Sequence, residues 1–135
     1  MGCDIHFHSE VKVNGKWEHY SEVGIDREYD LFAKMAGVRN YQGITPISEP
    51  KGLPTDISVV TRLDAEKWRD DGHSWSYFNS KEICKLQSWI EDQMGSENSW
   101  ELERIYWGYI FGNAWNVEKL PPGIEDIRFV FWFDN

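Results

Sequence analysis

The run Asp4-Ile-His-Phe-His-Ser-Glu-Val-Lys-Val13, then Asn14-Gly15, then Lys16-Trp-Glu-His-Tyr-Ser-Glu-Val23, decides the fold. From Cys3 the residues alternate. Cys3, Ile5, Phe7, Ser9, Val11 and Val13 fall on one face, and Asp4, His6, His8, Glu10 and Lys12 on the other, which is the period of a half-buried strand. Asn-Gly is the pair that best tolerates the two positive φ angles of a type I′ turn, so Lys16 to Val23 is the returning strand of a hairpin. A two-residue turn sets the register. Glu10 falls opposite His19 and His8 opposite Ser21, which brings three of the four histidines onto one sheet face with two carboxylates.

The other end of the chain alternates again from Glu125 to Asp134, with Ile127, Phe129, Phe131 and Phe133 on one face and Arg128, Val130, Trp132 and Asp134 on the other. Apolar residues on both faces make this a central strand beside the hairpin. Between the two ends lie helical patterns. Asp26 is the expected cap of a helix to Ala36 stopped by Gly37, and residues 56 to 70 are partly helical. Asn79 with Glu82 forms a capping-box variant opening a helix to Met94, and Asn98 with Glu101 opens another to Phe111. Val38 to Pro54, with three prolines and two glycines, reads as a long ordered loop anchored by Tyr41, Ile44, Ile47 and Leu53. The expectation is one domain over residues 1–135. It is an α+β fold in which an antiparallel sheet from the N-terminal hairpin and the C-terminal strand carries about three helices on one face.

Composition narrows the function. The 135 residues carry 14 basic and 23 acidic side chains, a net charge of −9. Such a field repels nucleic-acid backbone and argues against binding bulk DNA or RNA. No apolar run approaches the roughly 20 residues of a membrane helix, and no secretory leader pattern is present, so a cytoplasmic protein with free thiols at Cys3 and Cys84, both on apolar faces, is expected. Aromatic residues make up 16% of the chain. The core must be built largely from rings, and rings suit both subunit interfaces and planar ligands.

Three constellations could carry chemistry. Asp4, His6, His8 and Glu10 offer imidazoles and carboxylates that could hold Zn²⁺ or Mn²⁺; a wet sheet face with ordinary polar residues is the simpler reading, and no cofactor is favoured. That string resembles the opening Asp-x-His-x-His of amidohydrolase and PHP-type phosphoesterase barrels, but 135 residues are too few for such a barrel and its further ligands. The second constellation is cationic: Arg27, Arg39-Asn40, Lys51 and Arg62 cluster in and around the long loop, where guanidinium forks could pair with phosphate oxygens or with neighbouring carboxylates such as Glu28, Asp30, Glu49 and Asp56. The third is a loop, Asp71-Gly-His-Ser-Trp-Ser76, in which His73 and Ser74 supply polar groups and Trp75 a stacking surface. No nucleophile elbow accompanies it.

Met-Gly-Cys-Asp-Ile-His6, Arg27-x-Tyr-Asp-Leu-Phe-Ala-x-Met-Ala-Gly-Val-Arg-Asn40, Pro46-Ile-Ser-Glu-Pro-Lys-Gly-Leu-Pro54, the His73-Ser-Trp-Ser segment and the ending Arg128-Phe-Val-Phe-Trp-Phe-Asp-Asn135 together resemble a family of short bacteriophage and prophage proteins. Related forms carry His-Ser-His-Ser where this chain has Trp75, which weakens a metal role for that segment. The resemblance implies a phage accessory protein in the host cytoplasm, acting against host defence. Three mechanisms fit: a homo-oligomeric sponge for a small anionic, nucleotide-like immune signal, a small metal- or histidine-dependent phosphoesterase acting on such a signal, and an acidic protein–protein inhibitor. The sponge uses the most features. Arg27, Arg39 and Lys51 would hold phosphates, Asn40, His73 and Ser74 would read polar edges, and Tyr41 or Trp75 would stack on a base.

Overall fold

The structure, a computed structural model, describes residues 2–94 and 122–135. Strands β1 (Asp4–Val13) and β2 (Lys16–Val23) form the hairpin. Helices α1 (Tyr29–Ala36) and α2 (Val59–Lys67) follow, then strand β3 (Gly72–Phe78), helix α3 (Ser80–Met94) and strand β4 (Asp126–Asp134). The sheet is antiparallel throughout, in the order β2-β1-β4-β3. The α+β architecture is therefore the one expected, with β4 central and paired to β1. The helix expected between Asn98 and Phe111 lies outside the described residues.

Local signals account for most elements. Asn14 and Gly15 both take positive φ (50° and 77°), as a type I′ turn requires. Asn79 and Glu82 close the capping box reciprocally, Glu82 N–H donating to Asn79 Oδ1 at 3.0 Å and Asn79 N–H to Glu82 Oε1 at 3.1 Å. Gly37 ends α1 in the left-handed region, its N–H donating to Ala33 O. Helix α1 starts later than expected, with Glu28 rather than Asp26 at the N-cap position. The long loop is irregular as expected and tied down: the Asn40 amide donates to Ile44 O (2.6 Å) and accepts from Ile44 N–H (2.8 Å), and Gly52 N–H donates to Trp75 O (2.7 Å).

Two expectations need correction. The Gly72–Ser76 segment is not a loop but most of β3, the strand beside β4. Its glycine and serines hide a strand whose register breaks between His73 and Ser76, with Ser74 at φ 55°. Such a bulge destroys the period-2 pattern by which a strand is recognised. The helices also occupy both faces of the sheet, not one. Phe7, Phe129, Phe131 and Phe133 pack against Leu31, Phe32 and Met35 of α1 and Ile83, Leu86 and Ile90 of α3. The opposite face, with Val130 and Trp132, is covered by Ala65 of α2, by Trp68 just past its end, by Leu53 of the loop and by Ile57 just ahead of α2. That second layer explains why β4 is apolar on both faces. It also means that the polar face of β1 is dry at His8 and Glu10 instead of wet along its length.

Candidate functional site under helix α2

On α2, Thr61, Asp64 and Ala65 recur at helical spacing, and Trp68 continues the stripe just past Lys67. Small, acidic and aromatic residues thus face the β1 stripe of His6, His8 and Glu10. Thr61, His8 and Glu10 are buried, and each of these three meets a specific partner, as a desolvated layer demands.

Glu10 is matched most fully. Arg128 Nε donates to Glu10 Oε1 (2.6 Å) and Ser58 N–H to Glu10 Oε2 (2.9 Å), while Arg128 reaches on to the Asp56 carboxylate (2.6 Å) and carbonyl (3.0 Å). The Trp17 ring covers the Arg128 guanidinium at 4.2 Å, and Arg128 beside Asp56 holds that carboxyl below its ordinary range. His6 Nε2–H donates to Asp134 Oδ2 (2.5 Å), with its ring between Trp68 and Trp132. Asp4, at the end of the stripe, accepts from Arg27 Nε (2.7 Å) and Nη2 (3.2 Å), and this contact lowers the Asp4 carboxyl.

His8 is different, because its neighbours are metal-type ligands. The hairpin departs from the expected register through a bulge. Glu10 pairs with His19 as expected, but Ser9 pairs with Ser21 and His8 with Glu22 instead of Ser21. One extra residue, Tyr20, is inserted in β2, and Glu22 is thereby brought opposite His8. His8 Nε2–H donates to Asp64 Oδ2 (2.7 Å), and His8 Nδ1 lies 3.0 Å from His19 Nε2. His8, Glu22 and Asp64 each place one ligand atom within 4.8 Å of the others. Burial first, and the nearby His8 second, push the His19 imidazole below its ordinary value. The set Asp4, His6, His8 and Glu10 is thus divided among four partnerships, and only His8 stands among other ligand-type side chains.

Beside this layer the structure holds a cavity of about 380 Å³ lined by Gly52, Leu53, Arg62, Ala65, Glu66, Arg69 and Trp75. Trp75 stacks on Trp132 (centroids 5.1 Å apart, 27° between planes), and Trp132 stacks in turn on His8 (5.3 Å, 20°). Trp132 is fully buried, and its indole N–H has no partner among the described residues. The Arg62 and Arg69 guanidiniums make no ion pair or side-chain hydrogen bond among the described residues, whereas Arg27, Lys51 and Arg128 are all paired.

The remaining expected ligand residues are held as follows. Arg27 lies ahead of α1, exposed and paired with Asp4 instead of the nearer carboxylates Glu28 or Asp30. Arg39 sits 5.4 Å from the Tyr29 ring centroid and donates to Tyr41 Oη (3.4 Å), while Tyr41 is exposed. Lys51 Nζ donates to Glu82 (2.5 Å) and lies over the Tyr77 ring. His73 bridges Ser74 Oγ (3.0 Å) and Asn135 Oδ1 (2.5 Å). Cys3 is buried, and burial pushes its thiol up, but Cys84 is exposed, one position off the Ile83–Leu86–Ile90 stripe, which corrects the expectation of two buried thiols.

Sequence reasoning missed Glu22, Asp64, Arg69 and the Trp75–Trp132 stack as site features. The α2 stripe was available as a signal for Asp64. Nothing in the sequence marks the bulge that positions Glu22. Comparison of the chain with protein-family models, with curated proteins and with solved structures gives no match.

Proposed function

We propose that this protein binds and sequesters a small, planar, anionic ligand of nucleotide type in the cavity between α2, the Gly52–Leu53 loop and β3. One observation carries the reading: two guanidiniums with no partner among the described residues, Arg62 and Arg69, flank a largely apolar cavity walled by the Trp75 ring. An unpaired guanidinium fork is complementary to phosphate oxygens, and a fixed indole offers a base a stacking face. The other cations are less available: Arg27 is satisfied by Asp4 and Lys51 by Glu82. The phosphate-holding role thus moves from Arg27, Arg39 and Lys51 to Arg62 and Arg69, and Trp75 keeps its stacking role. The bacteriophage resemblance supports a counter-defence setting in the host cytoplasm, where the ligand is a nucleotide immune signal. Assembly as a homo-oligomer is part of the same reading; the outward Val59, Val60 and Leu63 of α2, all more than half exposed, support it.

The test is equilibrium dialysis against a panel of linear and cyclic nucleotides, followed by chromatography of the recovered ligand. Arg62→Ala and Arg69→Ala should each weaken binding roughly ten- to hundredfold, the loss of one charge-assisted contact. Trp75→Ala should weaken it by a comparable factor. The ligand should return intact. Recovery of a cleaved product favours the phosphoesterase reading, and no binding across the panel favours the protein–protein inhibitor.

A further inference from the structure

We propose that His8, Glu22 and Asp64 form a site for a divalent transition-metal ion, Zn²⁺ by ligand type, that ties α2 to both strands of the hairpin. The three residues come from β1, β2 and α2, and their ligand atoms lie within 4.8 Å of one another. One imidazole and two carboxylates are a ligand set that suits zinc, with room for a solvent ligand in the fourth position. Burial of His8 fixes one ligand, while Glu22 is exposed and gives the ion access from solvent.

The surrounding groups separate this cluster from its neighbours. Glu10, one residue pair along the same strand face, is closed off by Arg128 and Ser58, and His6 by Asp134. No cation is paired with Glu22 or Asp64 among the described residues, and the partner of Asp64 is the His8 ring itself. His19 supplies the outer contact. With His8 Nε2 on the metal, the His8 proton resides on Nδ1 and is donated to His19 Nε2, 3.0 Å away. Both neutral rings then change tautomer, His19 carrying its proton on Nδ1, and the number of protons is unchanged. A histidine ligand oriented through its second nitrogen is the usual outer arrangement of a zinc site. The His8 Nε2–Asp64 Oδ2 separation of 2.7 Å must open to about 3.3 Å, the spacing of two ligand atoms on a tetrahedral ion with bonds of about 2.0–2.1 Å. Asp64 lies at the edge of the layer on a single helix, so this movement needs no change in the sheet.

The bulge gives the site its register. Without the inserted Tyr20, His8 would face Ser21 and no second strand carboxylate would be present. This inference stands apart from the nucleotide reading, and its test contains no nucleotide.

The full-length protein is stripped with chelator and titrated with Zn²⁺ against a competing indicator, and with Co²⁺ by visible absorption. One equivalent is expected to bind, with a Co²⁺ spectrum free of thiolate charge transfer. Saturating Zn²⁺ should raise Tm by about 5 °C or more, because the ion binds only the folded state. Glu22→Gln, an exposed change on the edge strand, and Asp64→Asn should each weaken Zn²⁺ at least as much as the roughly tenfold cost of losing an outer contact. Cys84→Ser and Glu91→Gln should leave it unchanged. Zn²⁺ binding no tighter than millimolar, equal binding by Glu22→Gln and Asp64→Asn, or a thiolate Co²⁺ band that Cys84→Ser abolishes would each overturn the assignment.

Discussion

Arg128 Nε donates to Glu10 Oε1 at 2.6 Å across the two central strands, and the two side chains are only 5% and 0% exposed. The pair does more than join β1 to β4. Glu10 also holds Ser58 N–H, and Arg128 holds Asp56, so the chain entering α2 is fastened to the sheet through one buried carboxylate. Removing a single partner leaves a desolvated charge. Glu10→Ala should therefore cost roughly 3–5 kcal/mol by chemical denaturation, while the double change to methionine at both positions should recover much of the loss. A loss below about 1 kcal/mol for Glu10→Ala would show that α2 is anchored by its apolar contacts instead.

The Arg27–Asp4 pair is exposed and has a different signature. Arg27 holds the Asp4 carboxyl below its ordinary value, so the folded state binds fewer protons than the unfolded chain on the acid side. The contribution is full above the unfolded value of about 3.9 and disappears as pH falls through the lower folded value. Urea midpoints of the parent and Arg27→Ala should differ by a constant amount near neutrality and converge below about pH 4. Some acid sensitivity should remain in the variant, because Arg128 lowers Asp56 in the same sense. In the proposed ligand reading, binding at the Trp75 cavity should be unaffected. A variant that keeps its stability offset at pH 2–3 would show that Arg27 acts by packing over Gly2, where its guanidinium leaves no room for a Cβ.

The elements most legible in the sequence are those that a local signal specifies: the Asn14-Gly15 turn, the Gly37 stop, the Asn79–Glu82 box and the doubly apolar β4. The second helical layer was implicit in that same strand, since Val130 and Trp132 need a cover as much as Phe129 and Phe131 do. The site was less legible because its decisive features are long-range. Glu10 meets Arg128 across 118 positions of sequence, and His8 meets Asp64 across 56. The bulge at Tyr20 changes which residue faces His8, and a one-residue shift reverses the face of every side chain beyond it. Residue types sufficed to nominate His8 and Trp75, and tertiary pairing alone reveals which arginines are left over.

The outer face of α2 carries Val59, Val60 and Leu63 in solvent at 60%, 53% and 53% exposure, an apolar surface on a helix whose other side is already packed. In the homo-oligomeric reading this surface is covered by another subunit. Light scattering should give at least twice the 15.9 kDa chain mass, and Val60→Glu with Leu63→Glu should return the protein to monomer without loss of helical circular dichroism. A monomeric parent at micromolar concentration would remove the oligomer from the proposal and leave the cavity within one chain.

Gly72 marks where α2, β3 and the cavity wall meet. Its N–H donates to Trp68 O at 2.6 Å, and a Cβ placed there would lie 2.5 Å from the Trp75 ring and 2.8 Å from the Trp68 carbonyl oxygen. The ring is the closer obstacle, and it is the ring that stacks on Trp132 and walls the cavity. Gly72→Ala should thus displace Trp75, costing roughly 1–3 kcal/mol of stability, as overpacking does, and, in the proposed ligand reading, weakening binding at the cavity together with it. The two obstacles can be separated. If the indole is the main one, Gly72→Ala should cost little in a Trp75→Ala background, since removing the ring makes room for the methyl group. An equal cost in both backgrounds, read from urea midpoints, would place the conflict at the Trp68 carbonyl and show that the glycine serves the α2–β3 connection and not the cavity wall.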